Sequence, residues 1–388
     1  MIGRALVASA LALHLSAAPA LAQEPVKCNP KRASPAIAES WAQRRLNVQR
    51  VWPLTMGQGV TVAVIDSGVD ETHPQIRLAG KADLTNTTYR DCVGHGTAVA
   101  GIIAGQPRND VPFYGVAPGV RLLSIKQSND TSGDVSVLAK AIRAAADENA
   151  DVINVSIEAQ DQPDLRAAVN YALGRDIVIV AAAGNQQKDD GTSSPSYPAA
   201  YDGVLAVGAA TPSGGRSTFS NPNAVAVLGP GQEISSTWTG KGYQSKLEGT
   251  SYAAPYVAGV AALVRARFPN LDQVRVRRRI MLTADGASGK GTGAGMVNPF
   301  LAVTMLLPSE QVAVAAPVPP PLPASAVRKA VPPDSRSMEV ATAVAAGGLS
   351  LTAVVMAFWM IVPMGRRRGW RAGSRTAATG ATPGSGPN

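Results

Sequence analysis

Residues 151–184 read "DVINVSIEAQDQPDLRAAVNYALGRDIVIVAAAG", and the order of their hydrophobic patterns decides the fold class. The runs "DVINVSI" (151–157) and "DIVIVAAAG" (176–184) are nearly continuous and rich in Val and Ile, as in strands covered on both faces. Between them, "DLRAAVNYALGR" (164–175) sets its apolar residues at helical spacing. A strand, a helix and a second strand in succession imply a parallel pair joined by a crossover. The same alternation extends outward. "VTVAVI" (60–65), "VRLLSIK" (120–126) and "VLAVGAA" (204–210) read as further strands, and "VSVLAKAIRAAADENA" (135–150) as a further helix. The expectation is an α/β fold of three layers with a mostly parallel central sheet. Such sheets place their sites beyond the carboxyl ends of the strands.

The chain of 388 residues carries a formal charge of +9, unevenly placed. Residues 51–310 hold 21 Lys and Arg against 23 Asp and Glu, whereas residues 1–50 hold 7 against 2 and residues 341–388 hold 5 against none. The candidate folded region is therefore near neutral. A nucleic-acid binder would carry a basic face there, so that class is excluded.

The ends are of a different kind. "MIGRALVASALALHLSAAPALAQ" has one early Arg4, an apolar run and the small residues Ala20-Leu21-Ala22, the pattern of a cleaved signal peptide over 1–22. An uncleaved anchor is the alternative. Residues 340–365, "VATAVAAGGLSLTAVVMAFWMIVPMG", hold no charge and are followed by "RRRGWR". About 20 apolar residues suffice to cross a bilayer, and flanking Arg favours the cytoplasmic side. The boundaries expected are 1–22 signal peptide, 23–50 N-terminal extension, 51–310 main domain, 311–339 Pro-rich linker, 340–364 membrane helix and 365–388 basic cytoplasmic tail. Cys28 and Cys92 are the only cysteines. Export invites them to pair, although free thiols remain open on this ground alone.

"EGTSYAAPYVAGVAALV" (248–264) reads as a core helix with Pro255 inside it. A proline is cheap only in the first turn, where N–H groups lack partners. The spacing therefore predicts a helix from about Ser251, and Ser251 is either an N-cap or a nucleophile. A serine hydroxyl needs an imidazole to take its proton and a carboxylate to hold that imidazole. Beyond His14 of the signal peptide, the histidines are His73 and His95. His95 stands where an apolar helical run begins, and Asp66 ends the first strand in "VIDSGVD". The order Asp66, His95, Ser251 is the order of subtilisin.

"VAVIDSGVD", "GHGTAVAGIIAG" and "GTSYAAPYVAGVAAL" together resemble the three active-site blocks of the subtilase family. The resemblance implies a subtilisin-like fold and a serine endopeptidase. Ser251 would be the nucleophile, His95 the general base and acid, and Asp66 the residue that orients His95. Asn185, in "VIVAAAGNQ", resembles the family's oxyanion asparagine. Ser156, Ile157 and Gly184 fall where the family contacts substrate. Many subtilases carry Ser-Leu-Gly where this chain has Ser156-Ile157-Glu158. Glu158 either narrows the pocket, favours a basic or small residue, or turns to solvent. His73 reads as structural, and no cofactor or metal is implied.

A narrower resemblance, to the mycosins, rests on the signal peptide, "WAQRRLNVQRVWPLTMGQGVTVAVIDSGVDETHPQ", a cysteine just before the His block, the Pro-rich spacer and the C-terminal span. Mycosins are membrane-anchored subtilases associated with type VII secretion. This resemblance implies a Cys28–Cys92 disulfide tying the extension to the domain, exported protein or peptide substrates, and a secretion complex as partner. A structural subunit that stabilises such a complex, with proteolysis secondary, is the alternative function. Residues 23–50 are too few to fold alone, so they read as a strap that stays on the domain.

Overall fold

The computed structural model describes residues 28–130, 132–185, 193–286, 289–310 and 334–369. The expected signal peptide, residues 23–27 of the extension, residues 311–333 of the linker and the tail from 370 lie outside the described residues.

Seven strands form one sheet: β1 (Thr61–Asp66), β2 (Leu78–Asp83), β3 (Arg121–Lys126), β4 (Val152–Val155), β5 (Val178–Ala182), β6 (Leu205–Ala210) and β7 (Val227–Pro230). Their order is β2-β3-β1-β4-β5-β6-β7, and every pairing is parallel. Alternation along each strand feeds two separate cores. In β1, Val62 and Val64 join the core that contains the buried residues of α2 (His95–Ala104) and α5 (Thr250–Arg267). Ala63 and Ile65 join the opposite core, with α3 (Val135–Asp147) and α4 (Pro163–Gly174). β5 divides in the same way, with Val178 and Val180 on one side and Ile179 and Ala181 on the other. This explains the unbroken apolar runs, because a strand with both faces covered has no polar face. The sheet between two helical layers is the arrangement expected from the sequence.

α5 runs through the middle of its layer and is buried at every residue from Tyr252 to Arg265. It starts at Thr250, one residue earlier than predicted, with Gly249 as N-cap at φ 151° and ψ 152°. Pro255 is therefore the sixth helical residue and lies past the forgiving first turn. Its missing N–H leaves the Ser251 carbonyl without a helical donor, and the Ser156 hydroxyl supplies one at 2.8 Å. A side chain 95 residues away thus compensates the proline.

An antiparallel hairpin, β8 (Ile234–Trp238) and β9 (Gly242–Leu247), lies outside the main sheet. The extension is built onto it. Ser34 and Tyr243 exchange backbone hydrogen bonds of 2.8 Å, and Trp238 donates its indole N–H to the Lys31 carbonyl at 2.9 Å. α1 (Trp41–Leu46) is closed by a capping box between Ser40 and Gln43, and its Ala42 and Leu46 enter the core. Cys28 and Cys92 form a disulfide across a separation of 64 residues. His73 is buried, its Nε2 3.0 Å from the Gly242 carbonyl and its ring edge-on to Tyr243.

α6 (Gln273–Leu282) and α7 (Pro299–Thr304) complete the domain. The buried Arg279 guanidinium gathers the Ala302 and Met305 carbonyls and the Glu310 carboxylate. That cluster fastens the chain near the expected boundary. Residues up to Val312 form one compact unit and those from Ala313 a second. In the second, α8 (Ser335–Arg367) has a mean hydropathy of 2.0 in its most apolar window and is a candidate membrane span. It begins five residues before the expected span, inside the expected linker, because Asp334 caps it by accepting from the Arg336 N–H.

Candidate active site

β1 ends on Asp66, β4 is followed at once by Ser156, and β5 is followed by Gly184 and Asn185. The parallel register sets these ends side by side. The first turns of α2 and α5 face them, so His95 and Ser251 arrive at the same edge.

Asp66 is buried, and its Oδ1 accepts from the Ser67 N–H and from His95 Nδ1, both at 2.8 Å. An imidazole nitrogen that donates must carry its proton. The neutral ring is thus protonated at Nδ1, leaving Nε2 as an acceptor 2.9 Å from the Ser251 hydroxyl. The approach of α2 to β1 requires glycine at 96, where a Cβ would fall 2.0 Å from the Gly68 carbonyl oxygen.

The turn before His95 is held by Asp91, a residue that sequence reasoning missed. Its Oδ1 accepts from the Val93 and Gly94 N–H groups at 3.0 and 2.8 Å, and its Oδ2 from the N–H and hydroxyl of Thr97 at 2.9 and 2.6 Å. The Ser67 hydroxyl bridges the two carboxylates, 2.9 Å from Asp91 Oδ1 and 3.2 Å from Asp66 Oδ1. Burial alone would lower the affinity of His95 for a proton. The charges of Asp66 and Asp91, with the Asp66 hydrogen bond, outweigh it and raise the pKa above the ordinary 6.5.

Ser251 is half-buried in the first turn of α5, where its own N–H has no helical acceptor. Beside it, the Thr250 N–H and hydroxyl donate to Asn185 Oδ1 at 3.1 and 3.3 Å. The carboxamide of Asn185 is thereby brought to the residue next to Ser251. Its other end meets Glu158, whose Oε1 accepts from the Asn185 backbone N–H at 2.9 Å and from Nδ2 at 3.2 Å. Burial raises the pKa of Glu158, against the pull of the Asn185 donors and the Ser196 hydroxyl.

The expected substrate contacts are placed differently from one another. The Ser156 hydroxyl is committed to the Ser251 carbonyl, and Ile157 is buried in the core with α3 and α4. Gly184 donates its N–H to the Thr250 hydroxyl at 3.1 Å. The structure therefore brings Asp66, His95, Ser251 and Asn185 together, with Ser156 and Gly184 behind them as supports. Asp91 and Thr250 carried no signal in the sequence, and Glu158, marked there only as a departure at the pocket edge, meets Asn185 27 residues away, as Thr250 meets it across 65.

A family model described as the subtilase family matches residues 57–300, and the chain belongs to that family. Within it, Mycosin-3 of Mycobacterium tuberculosis strain H37Rv is 38% identical over 84% of this chain and 84% of its own length. Subtilisin E of Bacillus subtilis strain 168 is 39% identical over 59% of this chain. Among solved structures, MycP3 protease from the type VII (ESX-3) secretion system is 36% identical, covering 74% of this chain and 98% of its own, with a TM-score of 0.62. MycP1 from the ESX-1 type VII secretion system gives 31%, 74%, 92% and 0.66 in the same terms. The chain is a serine endopeptidase of the mycosin type.

Proposed function

We infer that Ser251 Oγ attacks the carbonyl carbon of a peptide bond while His95 Nε2 takes its proton, and that Asp66 holds the imidazolium that results. Developing charge on the carbonyl oxygen would be met by the Ser251 N–H and by Asn185 Nδ2. Collapse of the tetrahedral adduct passes the proton from His95 to the leaving amine and leaves an acyl group on Ser251. Water, deprotonated by the same imidazole, then releases it. The observation that carries this reading is the unbroken line from Asp66 Oδ1 through His95 to Ser251 Oγ, with contacts of 2.8 and 2.9 Å.

The substrates proposed are proteins or peptides exported by a type VII secretion system, cut by an enzyme anchored through α8 with its catalytic domain outside the cytoplasm and its basic tail inside. The likeness to secretion-system proteases supports this, as does the Arg-rich end of α8. The extension is proposed to stay in place after maturation, supported by its disulfide and its hairpin contacts.

The test is Ser251→Ala in cells, following both secretion and the cleavage of exported proteins. Lost cleavage with secretion retained supports the peptidase reading. Cleavage that continues unchanged removes it. Loss of secretion on deletion of the whole chain, but not with Ser251→Ala, would assign a separate structural role to the protein.

A further inference from the structure

A carboxamide presents two N–H donors at one end and an acceptor oxygen at the other. A half-turn about its terminal bond exchanges them, so its neighbours alone decide which end faces the reaction. The neighbours of Asn185 are opposite in kind. Thr250 offers two donors to Oδ1. Glu158 offers only an acceptor, Oε1, to Nδ2. Reversing the amide would set its oxygen against a carboxylate and its NH2 against the Thr250 N–H, two repulsions in place of two hydrogen bonds, since only the Thr250 hydroxyl could turn to accept.

The carboxylate is itself aimed. Oε1 also accepts from the Asn185 backbone N–H at 2.9 Å, so one oxygen bridges main chain and side chain of the same residue. The other oxygen, Oε2, lies over Gly184, 2.9 Å from where a Cβ would stand. Glycine at 184 thus leaves the room in which the carboxylate sits. Although Glu158 is exposed at its outer side, its charged end is turned inward onto Asn185. Of the four hydrogen-bonding positions of the carboxamide, Thr250 fills two and Glu158 one. Among the described residues, a single N–H of Nδ2 is left without a partner.

We propose that Glu158 is a positioning residue for the peptidase reaction, which fixes the Asn185 carboxamide so that its remaining N–H faces the carbonyl oxygen under attack by Ser251. This rests on the reading of Asn185 as oxyanion donor. Glu158 acts through Asn185 and does not touch the reacting atoms. Its loss should therefore slow the chemical step and leave ground-state binding alone.

The experiment compares kcat and KM for Asn185→Ala, Glu158→Ala, Glu158→Gln and the Glu158→Ala/Asn185→Ala double variant on a fluorogenic peptide library, with thermal unfolding midpoints confirming that each folds. Asn185→Ala is expected to lower kcat by about 10²–10³-fold, the range known from subtilisin itself. Glu158→Ala should lower kcat by about 10- to 10²-fold with KM unchanged, bounded by loss of the donor it positions. Glutamine retains an acceptor for the same two N–H groups, so Glu158→Gln should keep most of the rate. The double variant should be no slower than Asn185→Ala alone, because the two residues act as one unit. Glu158→Ala that changes only KM or side-chain preference would make Glu158 a pocket charge and overturn the proposal, as would Glu158→Gln as slow as Glu158→Ala. A normal kcat for Asn185→Ala would instead overturn the oxyanion reading beneath it.

Discussion

The two halves of the active site are built to different standards of enclosure. On the proton-relay side Asp66, His95, Asp91 and Ser67 are all buried, and Asp91 alone accepts four N–H or hydroxyl bonds within the turn that carries His95. On the proposed oxyanion side Asn185 is half-buried, Glu158 is exposed, and the carboxamide is held by three hydrogen bonds from two residues, Thr250 and Glu158. Low dielectric strengthens the Asp66–His95 interaction and keeps the imidazole in one tautomer. On the mechanism proposed, the oxyanion side must stay open, since a substrate carbonyl has to enter it. Enclosure therefore goes where a proton moves between fixed groups, and accessibility goes where the ligand arrives.

Substitutions can break this comparison, starting with the relay. Removing the proposed nucleophile by Ser251→Ala should cost about 10⁶-fold in kcat, as known for subtilisin, and steady-state hydrolysis of a peptide library measures it. Asp66→Asn keeps the shape but offers Nδ1 a donor in place of an acceptor, freeing the ring to adopt the wrong tautomer. A fall of about 10⁴-fold in kcat is expected, and a loss below tenfold would show that Asp66 does not set the tautomer.

Between the two halves in expected size stands the extension. Closing a loop of 64 residues by the Cys28–Cys92 bond removes about 4 kcal/mol of chain entropy from the unfolded state. The double variant Cys28→Ser/Cys92→Ser should unfold in urea with stability lower by about that amount, and an unchanged midpoint would mean that the strap is held by its other contacts alone.

The oxyanion half is sharpened by Thr250→Val, which deletes one of the two donors to Asn185 Oδ1 and the acceptor for the Gly184 N–H. A loss of about 10-fold in kcat is expected, well short of removing Asn185 itself. The smallest effect concerns pH. In the proposed relay only neutral His95 takes the Ser251 proton, and Asp66 and Asp91 raise its pKa above 6.5. The acid limb of kcat/KM should therefore have its midpoint above 6.5, with activity rising as pH increases through it. A midpoint below 6.5 would mean that burial, not the carboxylates, controls the ring.

The same contrast governs what could be read from the sequence. β1, β3, β4, β5 and β6 were legible because strands covered on both faces leave continuous Val and Ile. β2 reads "LAGKAD", half-exposed at the sheet edge, and β7 reads "VLGP", so neither carries that signal. The β8–β9 hairpin is polar on its outer face, as in "GYQSKL", and lies off the sheet. α6, "QVRVRRRIML", hides its apolar stripe among four arginines. The relay residues sit in compact blocks at strand and helix ends, so their types and order could be read directly. The supports could not. Ser156 meets the Ser251 carbonyl across 95 residues and Thr250 meets Asn185 across 65, distances at which only the folded chain pairs them. The start of α5 was misplaced by one residue for a related reason: Gly249, at φ 151°, caps the helix without a side chain.

The most direct measurement of the account is intact-mass analysis of the purified protein after reaction with an alkyl fluorophosphonate, which reacts with a serine only where a neighbouring base activates its hydroxyl. One adduct per chain is expected, mapped by peptide digestion to Ser251 and abolished by His95→Ala. An adduct on another serine, or labelling of Ser251 that proceeds at the same rate without His95, would contradict the claim that these three side chains form one proton relay.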